Sequence, residues 1–114
     1  MATTLLQFYE GSDSPIGRVE DDGRVYDDVV AGYPVGRVEP DGRVYNDPYL
    51  GSLVGHVDVR DGGIYRGFYP GGTLVGRVAR DGRVYNDGFG GTYVGRADGH
   101  NKILCGGALY LLLL

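Results

Sequence analysis

The chain has 114 residues, 42% of them apolar, with 22 glycines, ten tyrosines, five prolines, one cysteine and no tryptophan. Its 11 basic and 15 acidic residues leave a net charge of −4 with both signs interspersed. That balance offers no basic patch able to neutralise phosphates, so it argues against nucleic acid and anionic membrane as partners; a lone Cys105 likewise excludes an intrachain disulfide.

The first predicted element is a strand over 3–9. The opening MATTLLQFYEG has no basic region followed by a long apolar run, so the expected localisation is cytoplasmic. From Ile16 onward one phrase recurs, as IGRVEDDGRVY, VGRVEPDGRVY, VGHVDVRDGGIY, VGRVARDGRVY and a decayed VGRADGHNKIL. The second-position glycines Gly17, Gly36, Gly55, Gly76 and Gly95 are 19, 19, 21 and 19 residues apart. A period near 20 means that each copy is one supersecondary unit, too small to bury its own apolar face. The expected organisation is one domain: an N-terminal strand and turn over 1–14, then repeats over about 15–33, 34–52, 53–73, 74–92 and 93–114. The spacing and glycine-rich hairpins resemble the choline-binding repeats of bacterial surface proteins in period and turn chemistry alone. Those repeats hold choline between stacked tryptophans and tyrosines, and no site is carried over to this tryptophan-free chain.

Each copy reads as a β-hairpin. In the second, Glu39-Pro40-Asp41-Gly42 suits a type I turn closed by a bulge, with Gly42 taking the positive φ. Val38 then faces Val44 and Arg37 faces Tyr45. Alternation puts Gly36, Val38, Val44 and Asn46 on one face, and Arg37, Glu39, Arg43 and Tyr45 on the other. Between copies, Ala31-Gly32, Gly51-Ser52, Gly71-Gly72 and Gly90-Gly91 supply a second set of turns.

The predicted fold is all-β: an antiparallel meander of about 10–12 short strands, over 3–9, 15–20, 24–30, 34–39, 43–50, 53–59, 63–69, 73–79, 83–88, 92–97, 102–105 and 108–114. A two-residue Gly51-Ser52 turn would pair Leu50 with Leu53. The expected core is Val19, Val25, Val38, Val44, Val57, Ile64, Val78 and Val84, with Leu50, Leu53 and Leu74. So wide an open sheet with one bare apolar face has to close, into a barrel or a flattened sandwich whose first strand meets the leucine-rich last one. A stacked-hairpin solenoid and a trefoil-like arrangement are the alternatives. Helix is nearly excluded by glycine frequency and the lack of a 3.6-residue period.

The repeats leave few residues for chemistry. Tyr26, Tyr45, Tyr65 and Tyr85 share one position and Arg18, Arg37, His56, Arg77 and Arg96 another across the hairpin, forming ladders of rings beside cations. They read first as braces of the outer surface and second as a platform for a sugar or other flat ligand. The polar pairs Asp27-Asp28, Asn46-Asp47 and Asn86-Asp87 read as Asx turns in preference to a calcium site. No nucleophile–base motif, metal set or cofactor motif is present, and DGFGGT at 87–92 is a turn instead of a phosphate cradle. The expectation is a non-enzymatic structural or protein-interaction scaffold; the alternative is a ligand-binding module using Tyr26, Tyr45, Tyr65, Tyr85, Arg18, Arg37 and Arg77. Neither a cofactor nor a membrane span is expected, since the apolar tail from Ile103 is too short to cross as a helix. Leu109–Leu114 reads as a strand buried on both faces, by its own domain or by a second copy of the chain.

Overall fold

A computed structural model describes residues 2–49, 51–87 and 91–114. Among them ten antiparallel strands run as a meander and close on themselves: β1 Thr3–Tyr9, β2 Ser12–Val19, β3 Arg24–Tyr26, β4 Pro34–Val38, β5 Arg43–Tyr45, β6 Leu53–Val57, β7 Gly63–Arg66, β8 Thr73–Val78, β9 Arg83–Tyr85 and β10 Tyr93–Asp98. Each strand pairs with its sequence neighbours, and β10 closes the barrel against β1 with Leu5 opposite Ala97. The all-β meander and the barrel are as expected. The solenoid and the trefoil give way to a closed ring.

The hairpins follow the turn chemistry. Gly42 has φ 99° and donates to the Glu39 carbonyl at 2.9 Å, while Glu39 donates to Arg43 at 2.8 Å. Val38 faces Val44 and Arg37 faces Tyr45. The eight valine and isoleucine positions expected inside, from Val19 to Val84, are all buried.

The links at the other end of the barrel are longer than expected. β5 stops at Tyr45, which pairs with Leu53, so 46–52 is a loop and not a two-residue turn. Asn46 leaves the inner face, its amide turned to the Ser52 carbonyl at 3.1 Å. The expected Leu50–Leu53 pair and the Gly90 turn lie outside the described residues. Leu53 and Leu74 are half-buried and stand opposite Tyr45 and Tyr65 without joining the core. The reason is a β-bulge before each repeat glycine: Pro34 and Gly36 face Tyr26 and Val25, leaving Val35 as the extra residue. Ile16, Val54, Val75 and Val94 are extra in the same way. A bulge breaks the two-residue alternation, and these five residues pack against the core in place of the leucines.

The C-terminal segment overturns the expectation for 102–105 and 108–114. It is helical, an α-helix α1 over Lys102–Ala108 continuing as a π-helical turn over Leu109–Leu113. Accordingly β1 meets β10 instead of a leucine-rich strand. The helix enters beside the Asp-Gly turns and fills the barrel: Cys105, Ala108, Leu109 and Leu111 are buried, and Gly106 and Gly107 lie so close to Val78 and Val57 that an added Cβ would sit 2.6 Å from their carbons. Glycine's poor helix propensity, roughly 1 kcal/mol per residue, is outweighed here because only glycine fits.

The helix meets the repeat glycines one by one. An added Cβ on Gly17, Gly36, Gly55, Gly76 or Gly95 would touch Leu113, Leu112, Leu111, Tyr110 and Leu109 respectively, at 2.7 to 3.2 Å. Consecutive residues thus serve consecutive repeats. Five repeats around a circle sit about 72° apart, whereas an α-helix turns about 100° per residue. A π-helix has more residues per turn and comes nearer that spacing; its i to i+5 bond is made by the Leu114 amide to the Leu109 carbonyl at 3.1 Å.

Candidate functional site

The tyrosine and arginine ladders stand on the outer wall, half-buried. The structure brings their members together in pairs. The guanidinium carbons of Arg18, Arg37 and Arg77 lie 3.9, 4.0 and 4.1 Å from the ring centres of Tyr26, Tyr45 and Tyr85. Stacked so closely, each guanidinium covers one face of its ring. The arginines also reach into the links. Arg18 Nη1 donates to the carbonyls of Asp28 and Ala31 at 2.7 and 2.9 Å, and Arg37 Nη1 to that of Asp47 at 2.9 Å. Their geometry is that of a clamp on the following loop.

The polar pairs complete the clamp from inside the loop. Asp28 Oδ1 accepts from the amides of Val30 and Ala31 at 2.9 and 3.0 Å, Asp47 Oδ1 from Tyr49 at 2.9 Å, and the Asn46 and Asn86 carboxamides from Ser52 and Thr92 at 2.9 Å. These amides, first that of Val30, hold the Asp28 carboxyl below the usual carboxylate range. Asx geometry therefore uses these oxygens. Among the described residues no three His, Cys, Asp or Glu side chains converge in a way that could hold a metal ion.

The third copy departs from the others. His56 takes the arginine position, 5% exposed, stacked on Tyr65 with centroids 4.8 Å apart and edge-on to Tyr69 at 5.0 Å. Its Nδ1 is buried without a hydrogen-bond partner. Burial lowers its pKa below the ordinary 6.5, against the weaker upward pull of Asp58 and Asp41. A histidine that is harder to protonate when folded than when unfolded stabilises the fold fully above pH 6.5, and that contribution is lost as pH falls through 6.5 towards the folded pKa. Denaturant midpoints of the wild type should therefore fall between pH 7.5 and pH 5, above the range where carboxylates titrate, and His56→Phe should flatten that slope. An unchanged slope would show that His56 titrates alike in both states.

Cys105 is buried, its thiol pushed up to about 11 by burial, with Sγ 3.5 Å from the His100 carbonyl. At neutral pH it holds its proton and is a poor nucleophile.

The residues that the repeat logic passed over are the loop tips. Tyr9, Val30, Tyr33, Tyr49 and Phe68 are 67 to 88% exposed. A closed meander sends alternate connections to opposite ends, so the connections bearing these residues share one end and the Asp-Gly turns the other; the Tyr49 ring turns back over the guanidinium of Arg24, whose carbon lies 4.8 Å from its centre. Between the tips lie the bulge residues and the last turn of the helix, ending at Leu114, 39% exposed. Part of the signal was present in the sequence: Val30 and Tyr49 recur at the repeat's period inside segments otherwise rich in Gly, Pro and Asp, but the next members of that series are Tyr69, which packs edge-on to His56, and Phe89, which lies outside the described residues. The opposite rim bears an open groove of about 900 Å³ where Arg60, Arg80, His100 and Lys102 surround Ile103 and Leu104.

The fold and this rim define a class: a ten-stranded barrel of 20-residue hairpin repeats, plugged by its own C-terminal helix and crowned at one end with apolar loop tips. No protein-family model, curated protein or solved structure matches the chain.

Proposed function

We propose that the chain is a non-catalytic docking scaffold whose working surface is the loop-bearing rim. The observation that carries this reading is the exposure of large apolar side chains on successive links, Tyr9, Val30, Tyr33, Tyr49 and Phe68, all at one end. Apolar side chains that recur at one end of a molecule offer a contact surface that a partner can cover together. The remainder of the molecule supports the same division of labour. The interior is filled by the helix, the wall arginines are engaged with tyrosines and loop carbonyls, and the one cysteine is inert. Self-association through Leu109–Leu114 as a strand does not fit this architecture, because Leu109 and Leu111 are buried inside the barrel.

A scaffold of this kind keeps its fold when its working surface is changed. The variant V30S/Y33S/Y49S/F68S should still unfold cooperatively, within about 10 °C of the wild type by circular dichroism, since surface substitutions of this sort usually cost under about 0.5 kcal/mol each. It should also elute markedly earlier from a hydrophobic-interaction column. A variant that fails to fold would mean that the tips serve stability, and the docking reading would fall.

A further inference from the structure

We propose that the end of the barrel bearing the Asp-Gly turns pairs with the same end of a second copy of this chain, about a two-fold axis. The inference stands apart from the docking reading, because the loop-bearing ends of such a dimer point away from each other.

The repeat isolates the residues that matter. The connections 20–23, 39–42, 58–62, 79–82 and 99–101 follow one another around this end of the ring. In the first four the Asp-Gly pair is constant, and the exposed residue just before it is Asp21, Pro40, Arg60 and Arg80 in turn. The hairpin does not dictate that series, because a type I turn accepts most residues at its tip. The third turn also carries an added residue, Val59, 45% exposed. The repeated carboxylates, by contrast, are held locally. Seven ion pairs between residues two apart in the chain, from Arg18 with Glu20 at 2.6 Å to Arg83 with Asp81 at 3.6 Å, bind them to arginines of their own copy. Such an end presents no field of one sign to an acidic or a basic partner, and what changes from turn to turn is the tip.

The tips are complementary across the ring. A two-fold axis lying across this end through the fifth connection exchanges the first turn with the fourth and the second with the third. It sets Asp21 of each copy against Arg80 of the other, and Pro40 against Val59. Lys102 stands with Arg80, its Cδ 3.4 Å from the Cβ that Gly82 lacks. Asp21 has an interaction of its own, and the two oxygens of a carboxylate accept several donors at once. The other axes match less. Those through the first, third and fourth turns set Asp21, Arg60 or Arg80 against its own copy, and the one through the second turns Arg80 onto Gly99-His100-Asn101, which offers no carboxylate.

The same axis closes the groove. Pro40, Val59, Ile103 and Leu104 line the open volume of about 900 Å³ at this end, and a second copy seated in this way covers their apolar surface. Charge sets the register, while apolar contact supplies attraction.

The test is sedimentation equilibrium of the intact chain. The wild type should dimerise as its concentration rises towards about 1 mM, the scale of a weak interface, and added salt should weaken the dimer. Asp21→Arg and Arg80→Asp each set like charges tip to tip twice per dimer, and each should weaken association about tenfold or more. Neither threatens the fold, since arginine already stands at that tip in the third and fourth turns and aspartate in the first. The double variant D21R/R80D should recover the dimer. An equimolar mixture of the two single variants should associate more tightly than either alone, because both contacts then join an arginine to an aspartate. A wild type that stays monomeric overturns the proposal, as does a dimer indifferent to both single variants or one that neither the mixture nor the double variant restores. A dimer lost only in V30S/Y33S/Y49S/F68S would belong to the loop-bearing end, overturning this assignment while the docking reading stands.

Discussion

Leu109→Ala should lower the unfolding free energy by about 2–5 kcal/mol, the range for a fully buried leucine whose site cannot collapse. Leu109 is 0% exposed, packed beside Gly95 where the helix passes into its π turn. Its loss opens a void between a helix and a ring of strands, neither of which can move inward without uncoupling from the other. Leu114→Ala, at a residue 39% exposed, is the internal control and should cost well under about 1 kcal/mol. Urea titrations of both variants check the pair. Equal, small losses would mean that the helix rests on the barrel without filling it.

The second large effect is one of sign. On an ordinary strand, Gly→Ala gains roughly 0.5–1 kcal/mol because glycine loses the most freedom on folding. Gly36→Ala should instead cost about 1–3 kcal/mol, the penalty for overpacking, and Gly36→Val more. The new Cβ would run into the Tyr45 carbonyl oxygen on one side and lie 2.7 Å from Leu112 Cδ1 on the other. Leu112 is half-buried and can yield. The carbonyl belongs to the paired sheet and cannot. Stability that rises in Gly36→Ala would refute the close approach and leave the repeat glycine as a bending point only.

These expectations depend on the part of the fold that the repeats did not announce. Period, turn glycines and alternating valines were enough to place the hairpins, the inner face and the closure, because each rests on interactions within about 20 residues. The tyrosine–arginine pairs were legible for the same reason. Loop lengths were not, since a bulge needs only one extra residue and leaves no mark in a Val-Gly phrase. The tips went unread because isolated apolar residues among Gly, Pro and Asp pass for turn filler until a closed barrel gathers them on one rim. His56 was visible as a departure from the repeat, but its lack of a partner at Nδ1 appears only once Tyr65 and Tyr69 are packed around it.

The C-terminal segment marks the boundary most sharply. Cys105-Gly106-Gly107-Ala108 reads as a break, and a leucine run beside it in an all-β chain reads as another strand. Two hints pointed the other way: Leu and Ala favour helix, while β-branched residues, the usual strand formers, are absent after Ile103. A segment apolar on every side is a buried helix when something surrounds it.

By itself, the sequence determined the unit: a hairpin with an Asp-Gly turn, a valine inner face and a glycine held back for close approach. The tertiary structure alone decided what the units enclose. Five hairpin units closed into a ring leave a central space that no strand can enter with its backbone groups paired. A helix satisfies those groups internally, so residues 102–113 complete the core as a plug instead of extending the wall.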